Sequence, residues 1–172
     1  SYQFWLDVSH SDWVKNDVGP LYNAWVFQSD WTKDEYTIED VVEMYSLKTA
    51  QYTISGPLLF GAILSGLDEK NKEILANFGK NVGVAFQIRD DILGIFGDEK
   101  KVGKPVLSDM REGKKTILSA HFVKNAQQKD LEEFKRIYGK KSSAETELNI
   151  VRQMFTHSGS LEFANEECRR YT

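Results

Sequence analysis

Cysteine is almost absent from the sequence: Cys168 stands alone, so no intrachain disulfide can form and a cysteine-based zinc site is excluded. Proline is scarce as well, with three in 172 residues, which removes the commonest interruption of long helices. Long apolar runs are lacking. The most apolar stretch, residues 54–66, is too short to span a bilayer and is interrupted by Ser55, Gly56 and Pro57. No cationic, apolar leader opens the chain, so no signal peptide is expected. Neither sign of charge dominates. With a net charge of −4 and scattered lysines and arginines, nothing draws the protein to nucleic acid. Histidine is equally sparse, and His10, His121 and His157 are dispersed, so all three are read as structural or surface residues. Strict apolar/polar alternation with Gly/Asn turns, internal repeats and low-complexity linkers are missing too.

What is present suits one soluble all-α domain over residues 1–172. Hydrophobic residues make up 41% and charged residues 28%, enough for a real core. The spread of Leu, Ile, Val and Phe among Glu and Lys favours helix almost throughout. A first helix is expected over Tyr2–Ser9, followed by a tryptophan-rich region (Trp13, Trp25, Trp31) read as packing or subunit interface. Thr37 and Asp40 have capping-box spacing and open a helix through Val41, Met44, Tyr45 and Lys48. Pro57 is expected to bend or end it, with Leu58–Leu64 continuing apolar. Asp68 and Glu69 start a helix that runs to about Phe96, and residues 97–105 read as a loop. Further helices are expected at Asp109–Asn125, Lys129–Tyr138, Ala144–His157 and Leu161–Tyr171. Phe60, Phe78 and Phe86 are read as core.

The chemistry concentrates near the end of the most apolar helix, in Phe86-Gln87-Ile88-Arg89-Asp90-Asp91. Helical spacing puts Gln87, Asp90 and Asp91 on one side. Two adjacent carboxylates there repel each other and are costly to bury uncompensated. A hard divalent cation bridging them to a phosphate would relieve both problems, and Mg²⁺ takes one or two carboxylates plus substrate oxygens and water. A bare Asp-Asp is most often an exposed acidic helix end; its company makes it informative. Gly97-Asp98, Gly103-Lys104-Pro105 and Asp109-Met110-Arg111-Glu112-Gly113-Lys114-Lys115-Thr116 follow, giving close backbone approach and positive charge.

This ordered set resembles the second aspartate-rich region of trans-isoprenyl diphosphate (polyprenyl) synthases, closest in flavour to bacterial geranylgeranyl diphosphate synthase-like members. Upstream, Lys48-Thr49 within residues 45–53 resembles the family's Lys-Thr motif. The resemblance runs from about Tyr36 to Thr116, and more loosely to the C-terminus. It implies the isoprenoid synthase helical bundle, of which this chain is the C-terminal portion. It also implies a Mg²⁺-dependent prenyltransferase that condenses isopentenyl diphosphate with an allylic diphosphate. By the same resemblance Asp90 is a direct metal ligand and Asp91 a water-mediated one; Lys48, Lys104 and Lys114 bind diphosphate, with Lys115 a weaker candidate; Thr49 and Gln87 turn oxygen dipoles toward the allylic cation. The family's third aspartate is replaced by Gly94, which puts one outer contact to the metal in question, and Asp98 is a solvated loop acid that could be recruited. Gln3–Asp7 corresponds loosely to a further family segment. A cytoplasmic homodimer is implied.

The family's first Asp-Asp-x-x-Asp motif does not occur, since Asp90-Asp91 is the only adjacent aspartate pair and Arg169-Arg170 lies in the wrong order to be its arginine pair. The chain also starts at Ser1 rather than methionine. It is therefore expected to be an inactive C-terminal fragment of an active enzyme. Two rival readings are a non-catalytic subunit, disfavoured because the aspartates and lysines are kept, and a class I terpene cyclase, disfavoured by the Lys-Thr and Gly-Lys-Pro elements.

Overall fold

A computed structural model describes residues 36–98, 103 and 106–172. Every regular element among them is helical. In chain order these are α1 (Ile38–Tyr45), a π-helical segment (Ser46–Ser55), α2 (Gly56–Leu64), α3 (Glu69–Phe96), α4 (Leu107–Glu112), α5 (Ile117–Asn125), α6 (Gln128–Ile137), α7 (Glu145–His157) and α8 (Ser160–Arg170). The expected Tyr2–Ser9 helix, the tryptophan-rich region and Gln3–Asp7 lie outside the described residues, as do His10 and Lys104.

Local sequence explains where these helices start and stop. Thr37 caps α1 as a full capping box: its Oγ1 accepts the Asp40 amide at 3.1 Å, and Asp40 accepts the Thr37 amide at 2.8 Å. Asp68 caps α3 by accepting the Asn71 amide at 2.9 Å. The expected single helix Asp109–Asn125 is instead two. Gly113 ends α4 with φ +63°, a left-handed conformation only glycine adopts cheaply, and Thr116 then caps α5 through Ser119. Pro57 does not end its helix either. It sits in the first turn of α2, where the π-helical segment passes directly into α-helix and the chain stays helical through it. The π-helical segment was not expected, because apolar periodicity distinguishes an α-helix from a strand but not from a wider helix.

The core is built on α3. Val84, Ile88, Ile92 and Ile95 from this helix pack with Val41 and Met44 of α1, Met110 of α4, Ile117 and Leu118 of α5, and Val151 and Phe155 of α7, all buried. An aromatic cluster closes the far side, with Phe134 stacked on Tyr138 at 4.5 Å and set against Phe122 at 4.9 Å. Phe60, Phe78 and Phe86, expected in this core, are 65%, 56% and 59% exposed. They lie on the faces of α2 and α3 turned away from it, and Phe60 lines an apolar groove of about 820 Å³ together with Tyr52, Ile63 and Ala76 among others.

His121 is a packing residue, as expected. It stacks on Phe163 at 4.4 Å, and its Nδ1 lies 3.0 Å from Ser160 Oγ. Burial and then the charge of Lys124 lower its pKa. The folded state thus binds its proton less readily than the unfolded chain. Its contribution to stability is present above pH 6.5 and is lost as pH falls below that. In urea denaturation followed against pH, His121→Gln is expected to flatten this acid-side loss.

Candidate active site

The deepest part of the site is the seam between α3 and the chain running from α1 into the π-helical segment, the most extensive helix pairing among the described residues. On α3 the contact stripe is Gly79, Gly83, Gln87 and Asp91, spaced four apart along one face. Each meets a residue of the opposing, antiparallel segment. A Cβ at Gly79 would fall 2.6 Å from Ser55 Oγ, and one at Gly83 would fall 2.3 Å from Ala50 Cα. The two missing side chains therefore let the backbones come close. At the other end of the stripe the contacts become hydrogen bonds. Thr49 Oγ1 donates to Gln87 Oε1 at 2.6 Å, Gln87 Nε2 donates to Asp91 Oδ1 at 3.1 Å, and the Tyr45 hydroxyl donates to Asp91 Oδ2. The Ile117 amide, at the start of α5, donates to that same hydroxyl at 2.9 Å.

Asp91 is 1% exposed, and burial pushes its pKa up to about 7 against the opposing pull of the Tyr45 and Gln87 hydrogen bonds. Burial, reinforced by the neighbouring Asp91, holds the Tyr45 hydroxyl firmly protonated and so a donor. Asp90, one position earlier, is partly exposed. Lys48 is one residue before Thr49 and is half-buried. Burial, then the charge of Lys114, lowers its pKa, while Asp91, Asp90 and Asp109 pull the other way. Lys114 reaches the site from the turn between α4 and α5. Its backbone is fixed by Gly113, by its own N–H on Asp109 O at 3.1 Å, and by the Tyr138 hydroxyl donating to its carbonyl at 2.7 Å. Its Nζ pairs with Asp109 Oδ1 at 2.5 Å. Burial would lower the Lys114 pKa, but Asp109 outweighs it and the net shift is upward.

Five sequence candidates from the seam, Lys48, Thr49, Gln87, Asp90 and Asp91, thus meet Lys114 at one end of the helix pair. Lys115 does not join them: it is fully buried, with its Nζ 5.5 Å from the centre of the Tyr36 ring. Asp98 is exposed at the end of α3. Sequence reasoning missed Tyr45 and Asp109. Tyr45 had been placed on the right helix, and its four-residue step to Thr49 is visible, but nothing in the sequence joins it to Asp91. Asp109 explains Gly94: a Cβ there would lie 2.2 Å from Asp109 Oδ2. The space beside Gly94 is already filled by a carboxylate from α4. Gly94→Ala is expected to push Asp109 off Lys114 and lower the Lys114 pKa, measurable by NMR titration of its Nζ.

Among the described residues no three His, Cys, Asp or Glu side chains form a ready-made metal cage. The donors that are present fit a Mg²⁺ that takes one or two carboxylates and completes its shell with phosphate oxygens and water. Each Asp91 oxygen also keeps a second lone pair beside its protein donor, room for a water-mediated contact.

A family model described as polyprenyl synthetase matches residues 18–155. The chain belongs to that family. Its similarity to a geranylfarnesyl diphosphate synthase from Aeropyrum pernix is 36% identity over 153 residues, covering 89% of this chain and 45% of the relative. It is 40% identical over 110 residues to a geranylgeranyl diphosphate synthase from Sulfolobus acidocaldarius, covering 64% of this chain and 33% of that protein. Among solved structures, geranylgeranyl pyrophosphate synthetase from Pyrococcus horikoshii superposes with a TM-score of 0.78 at 35% identity, over 92% of this chain and 48% of that one. Geranylgeranyl pyrophosphate synthase from Corynebacterium glutamicum, complexed with isoprenyl diphosphate and magnesium, gives 0.77 at 26% identity, over 90% and 47%. This polyprenyl synthetase chain therefore spans less than half the length of these curated relatives, and its helical fold is that of the isoprenoid synthases.

Proposed function

We propose that this chain supplies the second aspartate-rich half of a trans-prenyltransferase site, in a protein that joins isopentenyl diphosphate to an allylic diphosphate. The observation that carries the reading is the meeting of two half-buried lysines, Lys48 and Lys114, with the Asp90-Asp91 pair at one end of the seam. Lys114 lowers the Lys48 pKa, and a polyanion seated beside both lysines would relieve that repulsion. Lys48 and Lys114, joined by Lys104 on the family pattern, hold the diphosphate and neutralise the charge that builds on it as the allylic carbon–oxygen bond breaks. Asp90 would hold a metal ion directly, with Asp91 supporting it through water. When bound, Mg²⁺ adds Lewis-acid charge on the departing oxygens. Thr49 and Gln87 present oxygen atoms beside the developing cation. The groove beyond Gln51 and Tyr52 is apolar and suits an isoprenoid tail. A cytoplasmic homodimer belongs to the same proposal; no described helix is long and apolar enough to cross a membrane.

The test is an elongation assay with the protein that carries this chain, using labelled isopentenyl diphosphate, an allylic diphosphate and Mg²⁺. Elongated allylic product, abolished by EDTA, is expected. Cyclic hydrocarbon formed without consumption of the C5 substrate would establish a cyclase instead, and no turnover together with no binding of Mg²⁺-pyrophosphate would sink both readings. The 172-residue chain by itself is expected to bind Mg²⁺-pyrophosphate without turning over.

A further inference from the structure

Along the chain from the Ile117 amide through Tyr45, Asp91 and Gln87 to Thr49, each donor and acceptor role follows from the neighbours. The Ile117 amide can only donate, so the Tyr45 oxygen accepts from it and its proton goes to Asp91 Oδ2. Gln87 turns its amide nitrogen to Asp91 Oδ1, so its carbonyl oxygen must face Thr49. Thr49 then spends its only proton on that carbonyl and is left as an acceptor. The Asp91 carboxylate can only accept, which orients Gln87 and through it Thr49, and the Tyr45 hydroxyl, anchored by the Ile117 amide, holds that carboxylate in place. Three of the four side chains are buried, Tyr45 at 0% exposed, Asp91 at 1% and Thr49 at 6%, and Gln87 is partly buried.

We propose that Tyr45 is a positioning residue whose hydroxyl, anchored by the Ile117 amide, holds Asp91 and through Gln87 keeps the Thr49 oxygen as a fixed acceptor. This rests on the prenyl-transfer reading above. Phenylalanine at 45 would fill the same space but release Asp91 Oδ2 and strand the Ile117 amide. The Asp91 carboxylate could then turn away from Gln87, and with that link broken Gln87 could flip its amide and Thr49 turn its proton outward toward a developing positive charge.

The experiment is a double-mutant cycle with Tyr45→Phe and Thr49→Val in the full-length protein, read by steady-state kinetics with both diphosphates. Tyr45→Phe is expected to lower kcat about 10- to 100-fold, as loss of a group supporting a ligand does. KM for the allylic diphosphate should change little, because the effect is on an interaction made in the transition state. The double variant should lose no more than Thr49→Val alone. Additive losses, or wild-type kcat per active site in Tyr45→Phe with only a lower Tm, would overturn the proposal.

NMR of the same protein separates this outcome from failure of the prenyl-transfer reading. A slowly exchanging Tyr45 hydroxyl proton, with NOEs to the Ile117 amide, supports the assignment even if no elongation is seen or the variant does not fold. Rapid exchange of that proton overturns it.

Discussion

Gly83→Leu is expected to prevent the chain from folding, while Gly61→Ala, on the neighbouring helix α2, leaves it as stable or slightly more so. A Cβ at position 83 would sit 2.3 Å from Ala50 Cα, 2.6 Å from Ala50 Cβ and 3.0 Å from Ala50 N. Two of these three atoms are backbone, so no side chain can swing aside. The helices must move apart by more than an ångström, and that opens the Gln87 and Asp91 contacts farther along the same stripe. Overpacking alone costs about 1–3 kcal/mol in a well-packed core, and a branched side chain against backbone lies at or beyond the upper end. Losing buried hydrogen bonds at Thr49, Gln87 and Asp91 adds about 1–3 kcal/mol for each group stranded. Together these approach the whole stability of a domain, about 5–15 kcal/mol. At Gly61, by contrast, an added Cβ meets nothing within 4 Å, and alanine gains helix propensity of about 1 kcal/mol. Circular dichroism and urea titration of the two variants decide the matter; a folded Gly83→Leu chain of near-wild-type stability would mean that the seam is not as close as described.

Lys48→Ala is expected to lower turnover about 10²- to 10³-fold in the full-length protein, the usual consequence of removing one preorganised group that stabilises developing charge. Lys48 is the lysine on the seam itself, carried by the residue next to Thr49, so its loss also leaves Asp90 and Asp91 with less opposing charge. Lys114→Ala should cost less, because Lys114 is already matched by Asp109 at 2.5 Å. Its removal frees that carboxylate to repel the incoming diphosphate, so the loss should fall mainly on KM. A second effect sets the electrostatic account apart from simple loss of a contact. Lys114 is one of the two largest depressants of the Lys48 pKa, so in Lys114→Ala that pKa should rise. A pH titration of the Lys48 Nζ resonance reads it directly. Lys48→Ala with unaltered kcat would remove Lys48 from the site.

How much of this was legible beforehand follows from what each signal depends on. The Asp68 start of α3, the Thr37 capping box and the helical class depend on neighbours within four residues, and all were readable. Lys48-Thr49 and Gln87-Asp90-Asp91 were readable as a motif because their order along the chain carries the information. Three things were not. Tyr45 and Asp91 are separated by 46 positions, and only the antiparallel seam brings them together. Asp109 reaches Gly94 from the short separate helix α4, so the expected continuous helix from Asp109 hid the contact that accounts for the missing aspartate. Phe60, Phe78 and Phe86 were assigned to the core by hydrophobicity alone, which says that a side chain favours burial but not which face of its helix it occupies.

The π-helical segment has one further consequence. Its hydrogen bonds run i to i+5, so residues five apart line up, whereas those of α3 line up four apart. Ala50 and Ser55 accordingly oppose Gly83 and Gly79. Sliding either helix would take the two glycines away from Ala50 and Ser55, the backbone they leave room for. The position of Asp91 is thereby dictated partly by Gly79, about 18 Å down the same helix at 1.5 Å per residue. In this protein the alignment of the reactive end is set from the far end, by side chains that are not there.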